Sequence, residues 1–221
     1  MNILIVDDEA LARSRLRTLL ADLGAAGSNG NSAAPRSVTE AATAAEALAC
    51  LAPTSGRGWD VVLLDIAMPE GDGLDVLQAL RAEFPTLPVL MLSTYPESQY
   101  AVRCIRLGAA GYLNKSADPD AMLAAVRKVA GGGIYVSATA AEALAAAVGS
   151  RSARAGTDAL SHREHQVYRL LSAGHSVSEI GAQLGLAANT VSTYRARILD
   201  KTGPRNDVEL ALYAQNQGRG S

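Results

Sequence analysis

Residues 61–65, Val-Val-Leu-Leu-Asp, decide the fold, because four consecutive apolar residues run directly into a carboxylate. An apolar run without polar alternation is typical of a strand that is covered on both faces of a parallel sheet. The same pattern occurs at Ile3–Val6 and at Val89–Leu92, and each of these runs also ends at a polar residue. The three segments predict the centre of a parallel sheet.

Amphipathic stretches separate these strands and extend the alternating pattern to about residue 130. We predict further strands beginning at Val38 and covering Gly111–Leu113, and helices at 11–23, 41–51, 72–84, 97–107 and 119–131. In the first helix, Leu11 and Leu16 both belong to the predicted inward face. Because strand and helix alternate five times, we predict an α/β fold with a doubly wound parallel sheet.

The composition argues against several classes of protein. The 221 residues are 48% hydrophobic and 19% charged, which permits a packed core. No apolar run approaches the ~20 residues of a membrane span, and the acidic start of the chain is unlike a secretory signal. Cys50 and Cys104 form no CxxC pair, which argues against a disulfide framework or a zinc site. We therefore expect a soluble cytoplasmic protein with no membrane partner.

Charge and composition divide the chain into two parts. Residues 1–147 hold 11 basic and 16 acidic residues, whereas residues 159–221 hold 7 basic and 5 acidic residues. The Gly149–Thr157 segment is small and polar and lacks apolar periodicity, as expected of a linker. We predict a first domain at 1–131, an extension and linker at 132–158, and a second domain at 159–221.

The second domain has a purely helical pattern. Serines at Ser161 and Ser176, each followed three residues later by a glutamate, are capping-box sequences that open two helices. A third helix is predicted at 190–201 and a fourth at 207–215. Since the second and third helices are joined by a tight turn, we predict a small four-helix domain that contains a helix-turn-helix.

Polar side chains are predicted to meet at one edge of the sheet, because ligands of parallel α/β folds bind at the carboxyl ends of the strands. The residues at these ends are Asp7, Asp8, Asp65, Ser93 and Lys115. Three converging carboxylates repel one another unless a hard divalent cation such as Mg²⁺ binds them. A carboxylate beside Mg²⁺ and an ammonium group can act as a nucleophile towards a phosphoryl group.

Residues 1–130 resemble the receiver domain of two-component response regulators. The motifs that carry the resemblance are Ile3-Leu-Ile-Val-Asp7-Asp8-Glu9, Val61-Val-Leu-Leu-Asp65-Ile-Ala-Met-Pro69, Asp72-Gly73-Leu74, Val89-Leu-Met-Leu-Ser93 and Gly108-Ala-Ala-Gly-Tyr112-Leu-Asn-Lys115. The resemblance implies a flavodoxin-like (βα)5 fold.

The same resemblance implies a role for each residue at this edge. Asp65 is the implied phosphoacceptor, and Lys115 the implied phosphate contact. The implied Mg²⁺ ligands are the carboxylates of Asp7, Asp8 and Asp65 and the backbone carbonyl of Ala67. Ser93 and Tyr112 are the implied switch pair: Ser93 moves to donate a hydrogen bond to the phosphoryl group, and Tyr112 rotates into the vacated space.

Three features depart from the receiver pattern. The Gly24–Arg36 connection is longer than usual, Glu70 stands where a small residue is more common, and Ser116 stands where many receivers have proline. None of them removes an acceptor, metal or switch position.

The second domain resembles the LuxR-type helix-turn-helix, so that the whole chain is similar to the NarL/FixJ family of response regulators. The motifs are Leu160-Ser-His-Arg-Glu164, Val177-Ser-Glu-Ile180-Gly-Ala-Gln-Leu-Gly185 and Asn189-Thr-Val191-Ser-Thr-Tyr194-Arg195-Ala-Arg197-Ile-Leu-Asp-Lys201. The resemblance and the polar helix face predict these DNA-contacting residues: Thr190, Ser192, Thr193, Arg195, Ala196, Arg197 and Lys201.

The last helix carries one further implied role and one departure. Val208 and Leu212 resemble the dimer seam of the family, although they could instead close the core of the helical domain. Thr202 stands where family members usually have an apolar residue, so the packing of the last helix is less certain from sequence.

The favoured hypothesis is a transcription regulator in which a sensor histidine kinase phosphorylates Asp65 and thereby promotes a homodimer on double-stranded promoter DNA. We expect no enzymatic activity. Two alternatives stay open at this point. One is a DNA-binding protein that ignores phosphorylation and uses its receiver as a scaffold. The other is a phosphotransferase with an aspartate nucleophile, which is less favoured because Ala67 occupies the place of the second aspartate of such enzymes.

Overall fold

The computed structural model describes residues 1–21, 37–52, 58–68, 71–149, 157 and 160–218. Its contacts divide the chain into two compact units, Met1–Ala145 and Ala146–Ser221, and each is described by itself. The expectations for the Gly24–Arg36 connection, for Glu70 and for the interior of the Gly149–Thr157 linker lie outside the described residues.

The first unit contains a five-stranded parallel sheet, as predicted. Its strands are β1 (Asn2–Val6), β2 (Ser37–Ala41), β3 (Val61–Asp65), β6 (Val89–Ser93) and β7 (Gly111–Asn114), and a short antiparallel pair, β4 (Ala67–Met68) and β5 (Gly71–Asp72), follows β3. The strand order is β2-β1-β3-β6-β7, and every neighbouring pair is parallel. This order is that of a doubly wound sheet, so the predicted α/β class is confirmed.

Helices cover both faces of the sheet. They are α1 (Ala10–Ala21), α2 (Ala44–Leu51), α3 (Gly73–Glu83), α4 (Glu97–Arg106) and α5 (Pro119–Ala130). Helices α1 and α5 pack on one face and α2, α3 and α4 on the other, and alternate residues of β3 point into the two layers: Val61 and Leu63 into the first, and Val62 and Leu64 into the second. The continuous apolar strands are explained by this burial on both sides.

Two sequence-based details differ in these helices. Helix α2 begins at Ala44 rather than at 41, because Ala41 still pairs with β1 and Thr43 caps the helix by accepting a hydrogen bond from the Glu46 amide at 3.2 Å. Leu11 is 62% exposed instead of facing inward with the buried Leu16. Five residues of helix place Leu11 about 140° around the axis from Leu16, which explains the difference.

Gly73 allows α3 to start directly against the strand that ends in Asp65. The Gly73 amide donates to the Ile66 carbonyl at 3.0 Å, and a Cβ atom at this position would overlap the carbonyl oxygen of Asp65. Glycine is therefore a steric requirement of the close approach between the two segments, which gives the Asp72-Gly73 motif a physical reason.

A sixth helix, α6 (Ala138–Gly149), occupies a region for which the sequence analysis proposed only an extension and linker. The preceding segment attaches to the sheet edge: Tyr135 forms a parallel bridge with Gly111, and its amide donates to the Ala110 carbonyl at 2.8 Å. The Ser137 hydroxyl donates to the carboxylate of Glu97 on α4 and accepts from the Ala140 amide at 3.1 Å. The boundary between the two compact units falls inside α6.

The second unit is helical, as predicted, with α7 (His162–Ser172), α8 (Val177–Leu184), α9 (Ala188–Thr202) and α10 (Asp207–Gly218). Both capping boxes form, at Ser161 and at Ser176. The α8 helix ends at Gly185, whose φ of 67° is left-handed, and α9 follows after a short turn. This arrangement is a helix-turn-helix.

The second unit has a hydrophobic core of its own. Its buried residues are Leu160, Val167, Tyr168, Leu171, Ile180, Val191, Ile198 and Leu210. The polar Thr202 is tolerated at a buried position because its hydroxyl donates to the Ile198 carbonyl at 2.6 Å.

Among the described residues, no helix combines the length and the apolar character that a bilayer crossing requires.

Candidate functional site

Three aspartates converge at the carboxyl edge of the sheet. Asp7 follows β1, and Asp65 is the last residue of β3, the strand beside it. Asp7 and Asp65 are buried, with 1% and 4% of their surface exposed, whereas Asp8 is exposed. Carboxylate oxygens of the three residues all lie within 4.8 Å of one another, so the structure brings together the acidic set that the sequence analysis predicted.

Lys115 joins the two buried carboxylates. Its Nζ lies 2.7 Å from Oδ2 of Asp7 and 3.0 Å from Oδ2 of Asp65. The backbone of Lys115 is fixed at the end of β7, because its amide donates to the Ser93 carbonyl at 2.7 Å. The lysine thus spans from the edge strand to the central strands, as the site hypothesis requires.

The electrostatics of the site favour an additional cation. Burial raises the pKa of Asp65, and the negative charge of Asp7 adds to this effect, while Lys115 and the Ala67 amide oppose it. Burial acts to lower the pKa of Lys115, but Asp7 and Asp65 outweigh it and raise the pKa. The cluster therefore holds three acidic side chains and one ammonium group. Its ligands are all oxygen atoms and one of the aspartates is exposed, which fits Mg²⁺, because this ion prefers oxygen ligands and keeps several of its waters.

Ser93 and Tyr112 lie at the centre of a network on β6 and β7. Ser93 is fully buried, and its Oγ accepts a hydrogen bond from the Tyr95 amide at 3.1 Å. The Tyr95 carbonyl accepts from the Tyr112 hydroxyl and from the Asn114 side-chain amide, both at 2.9 Å. The segment after Ser93 is therefore tied to β7 by side chains of two β7 residues.

The ring of Tyr112 is already buried in this structure, with 1% of its surface exposed. Burial raises the pKa of the Tyr112 phenol well above its ordinary value, and the Ser93 hydroxyl partly opposes the shift. The phenol therefore stays protonated at neutral pH and acts as a hydrogen-bond donor to Tyr95. That the ring rotates into the space that Ser93 vacates stays a prediction.

Two residues with structural roles near the site, Asn114 and Arg13, were not identified from the sequence. Asn114 was quoted only within the motif that ends at Lys115, although its side chain joins the Tyr95 network. Arg13 donates to the backbone carbonyl of Asp7 at 2.7 Å. A signal for Arg13 was present, because a cation in the first turn of a helix is disfavoured by the helix dipole and so indicates a specific partner.

An apolar groove of about 480 Å³ opens beside the acidic site. Its lining includes Leu11, Leu16 and Leu19 from α1 and Met122 from α5, and it reaches Lys115. Leu11 stands at this groove with 62% of its surface exposed. The groove therefore combines apolar side chains of α1 with the lysine of the acidic site.

The predicted DNA-contacting residues all lie on α9, but they fall into two groups. Six of them are exposed and Arg195 is partly buried; the exposed residues are Thr190, Ser192, Thr193, Ala196, Arg197 and Lys201. Two of the seven form ion pairs: Arg195 with Asp207 of α10 at 2.7 Å, and Lys201 with the buried Glu164 of α7 at 2.6 Å. These two ion pairs link α9 to its neighbours, so both cations have a structural partner within the helical unit.

The last helix presents an apolar pair to solvent. Val208 is 72% and Leu212 is 55% exposed, and their spacing of four residues places them on one face of α10. The fully buried residue of α10 that packs into the core of this unit is Leu210, and not Val208 or Leu212.

Comparisons with known proteins agree with this picture. Residues 3–127 match the model of the response regulator receiver domain, and residues 158–214 match that of the luxR family of bacterial regulatory proteins. The chain is 36% identical over 211 residues to the transcriptional regulatory protein UhpA of Salmonella typhimurium, covering 96% of each chain. It is 33% identical over 219 residues to the response regulator GacA of Pseudomonas aeruginosa, covering 99% of this chain and 97% of GacA.

A solved structure supports the fold. RcsB from Salmonella enterica serovar Typhimurium, bound to promoter rprA, superposes with a TM-score of 0.56 at 22% sequence identity, covering 96% of this chain and 97% of RcsB. At this level of identity the likeness concerns the fold alone.

We predict that Mg²⁺ stabilises the unphosphorylated protein through the three aspartates. At a concentration 100 times the Kd, binding to the folded state alone adds about 2.7 kcal/mol to the free energy of unfolding. Thermal unfolding followed by circular dichroism should show a higher Tm with Mg²⁺, and Asp8→Asn should remove most of the increase. Because Asp8 is exposed, this variant should fold normally without the ion.

The matched control is Asp75→Asn, which neutralises an exposed aspartate of α3 that is not a member of the cluster and should leave the Mg²⁺ effect intact. An equal rise in Tm for Asp8→Asn and the wild type would contradict the assignment of Asp8 to the metal site.

Proposed function

Since the chain belongs to the two-component response regulators that join a receiver domain to a LuxR-type DNA-binding domain, we propose that phosphorylation of Asp65 controls its binding to promoter DNA. The observation that carries the proposal is the contact of Lys115 with both Asp7 and Asp65. We assign residues 1–131 to the receiver, 132–158 to the extension and linker, and 159–221 to the DNA-binding domain.

The proposed chemical step is phosphoryl transfer from a phosphohistidine of a sensor kinase. A carboxylate oxygen of Asp65 forms a bond to phosphorus, the P–N bond breaks, and the imidazole leaves with the electron pair and takes up a proton. Mg²⁺, held by Asp7, Asp8, Asp65 and the Ala67 carbonyl, supplies positive charge for the phosphoryl oxygens. Lys115 lies 3.0 Å from Asp65 and is placed to contact one of these oxygens.

Ser93 is proposed to detect the new phosphoryl group. A phosphoryl group carries about −1.5 to −2 charge and attracts hydrogen-bond donors. If the Ser93 hydroxyl turns towards it, the Tyr95 amide loses its acceptor, and the segment that Tyr112 and Asn114 hold through the Tyr95 carbonyl must adjust. We propose that phosphorylation changes how firmly this segment is held, and that Tyr112, which is already buried, rotates into the space that Ser93 vacates.

The structure offers a route for this change towards the C-terminal part of the chain. The Tyr95 segment leads through Pro96 into α4, which begins at Glu97. Glu97 accepts from Ser137, which in turn caps α6. A shift of the α4 start would therefore disturb the α6 cap, and α6 continues past the boundary of the first compact unit. We propose this chain of contacts as the path of the signal.

For DNA recognition, we propose that α9 enters the major groove. Its exposed short side chains suit base edges, and Arg197 suits a phosphate. Arg195 and Lys201 stay in the proposed contact set, but each would have to share or exchange its carboxylate partner. The 7 basic and 5 acidic residues at 159–221 give weak electrostatic attraction, so we propose that two copies bind together through Val208 and Leu212.

The groove between α1 and α5 is the proposed docking surface for the kinase. The phosphohistidine can reach Asp65 only if the kinase that carries it binds over the acidic site, and the lining of the groove includes both Lys115 and the exposed Leu11.

We also propose that this protein is cytoplasmic, because the catalytic domains of sensor kinases and promoter DNA are both found in the cytoplasm. We propose no turnover on a separate substrate, because Ala67 stands where phosphotransferases with an aspartate nucleophile carry their second aspartate.

We predict that Asp65→Asn abolishes the phosphodonor response in DNA binding. The amide keeps the shape of the side chain but cannot accept the phosphoryl group. In gel-shift titrations against genomic fragments, acetyl phosphate with Mg²⁺ should tighten binding by the wild type about tenfold or more, a change of about 1.4 kcal/mol. Asp65→Asn should show only the basal affinity, and Asp75→Asn should respond like the wild type.

A full response in Asp65→Asn would refute the assignment of the acceptor. Equal affinity of the wild type with and without acetyl phosphate would instead favour the phosphorylation-independent regulator. Sustained hydrolysis of small phosphoesters would favour the phosphotransferase.

We predict that Leu11→Ser slows phosphorylation by a histidine kinase about tenfold and leaves phosphorylation by acetyl phosphate unchanged. The reason is that Leu11 belongs to the docking surface and not to the reacting groups. The rates are measured with a radiolabelled kinase that phosphorylates the wild-type chain. The control is Ile134→Ser, which also removes an exposed hydrophobic residue (58% exposed) but lies near Gly111, at the opposite end of β7 from Lys115. Equal rates for Leu11→Ser and the wild type with the kinase would contradict the docking surface.

A further inference from the structure

Arg13 makes two contacts that hold its guanidinium between α1 and the ends of two strands. Its Nη1 donates to the backbone carbonyl of Asp7 at 2.7 Å, and its Nε donates to Oε2 of Glu40 on β2 at 3.2 Å. The side chains of Arg13 and Glu40 are mostly buried, with 16% and 28% exposed. Because the guanidinium is planar and rigid, two contacts on different edges fix its position.

The carbonyl that Arg13 holds belongs to the peptide between Asp7 and Asp8. The strand has ended at Val6, and the Asp7 amide still donates to Ala41 at 3.1 Å, so the chain leaves the sheet at this peptide. A peptide group is planar, and fixing its carbonyl therefore fixes the adjoining amide and the direction from which Asp8 extends.

The two carboxylates differ in how much support they have. Asp7 is buried, with Oδ1 accepting from the Glu9 amide at 2.9 Å and Oδ2 beside Lys115 at 2.7 Å. Asp8 is exposed, so packing does not set its direction. The orientation of Asp8 therefore depends more strongly on the peptide that Arg13 holds.

We propose that Arg13, oriented by Glu40, is a positioning residue that sets the affinity of the Asp7–Asp8–Asp65 cluster for a divalent cation. The inference rests on the proposed metal site and adds to it a residue that contacts neither the ion nor the phosphoryl group. Interactions that orient metal ligands typically change metal affinity 10- to 100-fold.

The neighbouring Arg17 provides the contrast that separates this role from a surface ion pair. Its Nη1 lies 3.3 Å from Oε1 of the same Glu40, but its side chain is 64% exposed. Exposed pairs of this kind contribute little to stability. Arg17 and Arg13 thus share one carboxylate partner, whereas the hydrogen bond to the Asp7 carbonyl belongs to Arg13.

The test is the Kd for Mg²⁺ of the full-length chain, measured by isothermal titration calorimetry without any phosphodonor. Arg13→Met should weaken binding about tenfold or more. Arg17→Met should bind as tightly as the wild type. Arg13→Lys should give an intermediate Kd, because an ammonium group can replace one of the two contacts but lacks the guanidinium fork. Thermal unfolding without Mg²⁺ establishes that each variant is folded before titration.

Equal Mg²⁺ affinity in Arg13→Met and the wild type overturns the inference, and so does an equal loss in the Arg13 and Arg17 variants. If Arg13→Met fails to fold, Arg13→Lys and Glu40→Gln replace it, and wild-type affinity in both of these variants overturns the inference. A wild-type chain that binds no Mg²⁺ contradicts the proposed metal site itself, which distinguishes the two failures.

Discussion

The contact of the Lys115 ammonium group with the carboxylates of Asp7 and Asp65 is the interaction on which the site depends. Two buried carboxylates on neighbouring strands would destabilise the fold if they were left unpaired, because burial disfavours their charge. The ammonium group of Lys115 neutralises one of the two negative charges and lies within hydrogen-bond distance of both carboxylates. Because Asp8 adds a third carboxylate, the cluster keeps an excess of negative charge that a divalent cation can neutralise. The same cation and Lys115 can then stabilise a phosphoryl group on Asp65.

The parallel sheet makes this geometry possible with few sequence constraints. Asp65 and Ser93 are the last residues of β3 and β6, while Asp7 and Lys115 follow β1 and β7 directly. Four segments that are far apart in the sequence therefore deliver their functional groups to one edge. The start of α3 also approaches the site closely, because Gly73 has no Cβ that would overlap the backbone of Asp65.

The sequence predicted the sheet and the acidic cluster because both follow from local patterns: apolar runs without alternation, each ended by a polar residue. It did not predict α6, because an alanine-rich stretch has no clear hydrophobic periodicity. The contacts that attach this helix to the first unit, through Tyr135 and between Ser137 and Glu97, also have no local sequence pattern. Arg13 was missed because its place in the first turn of a helix indicates only that it has a partner, and a backbone carbonyl as that partner has no sequence signature. The partner of Lys201 was hidden because Glu164 was interpreted only as a capping residue.

The central claim is that the phosphoryl group is carried by Asp65 and not by another carboxylate of the cluster. An acyl phosphate can be trapped by reduction with borohydride, which converts the modified aspartate to homoserine. The most direct measurement is therefore peptide mass spectrometry of the full-length chain after treatment with acetyl phosphate, Mg²⁺ and borohydride. The account predicts homoserine at position 65 and only when Mg²⁺ is present, whereas homoserine at position 7 or 8, or an unmodified chain, would contradict it.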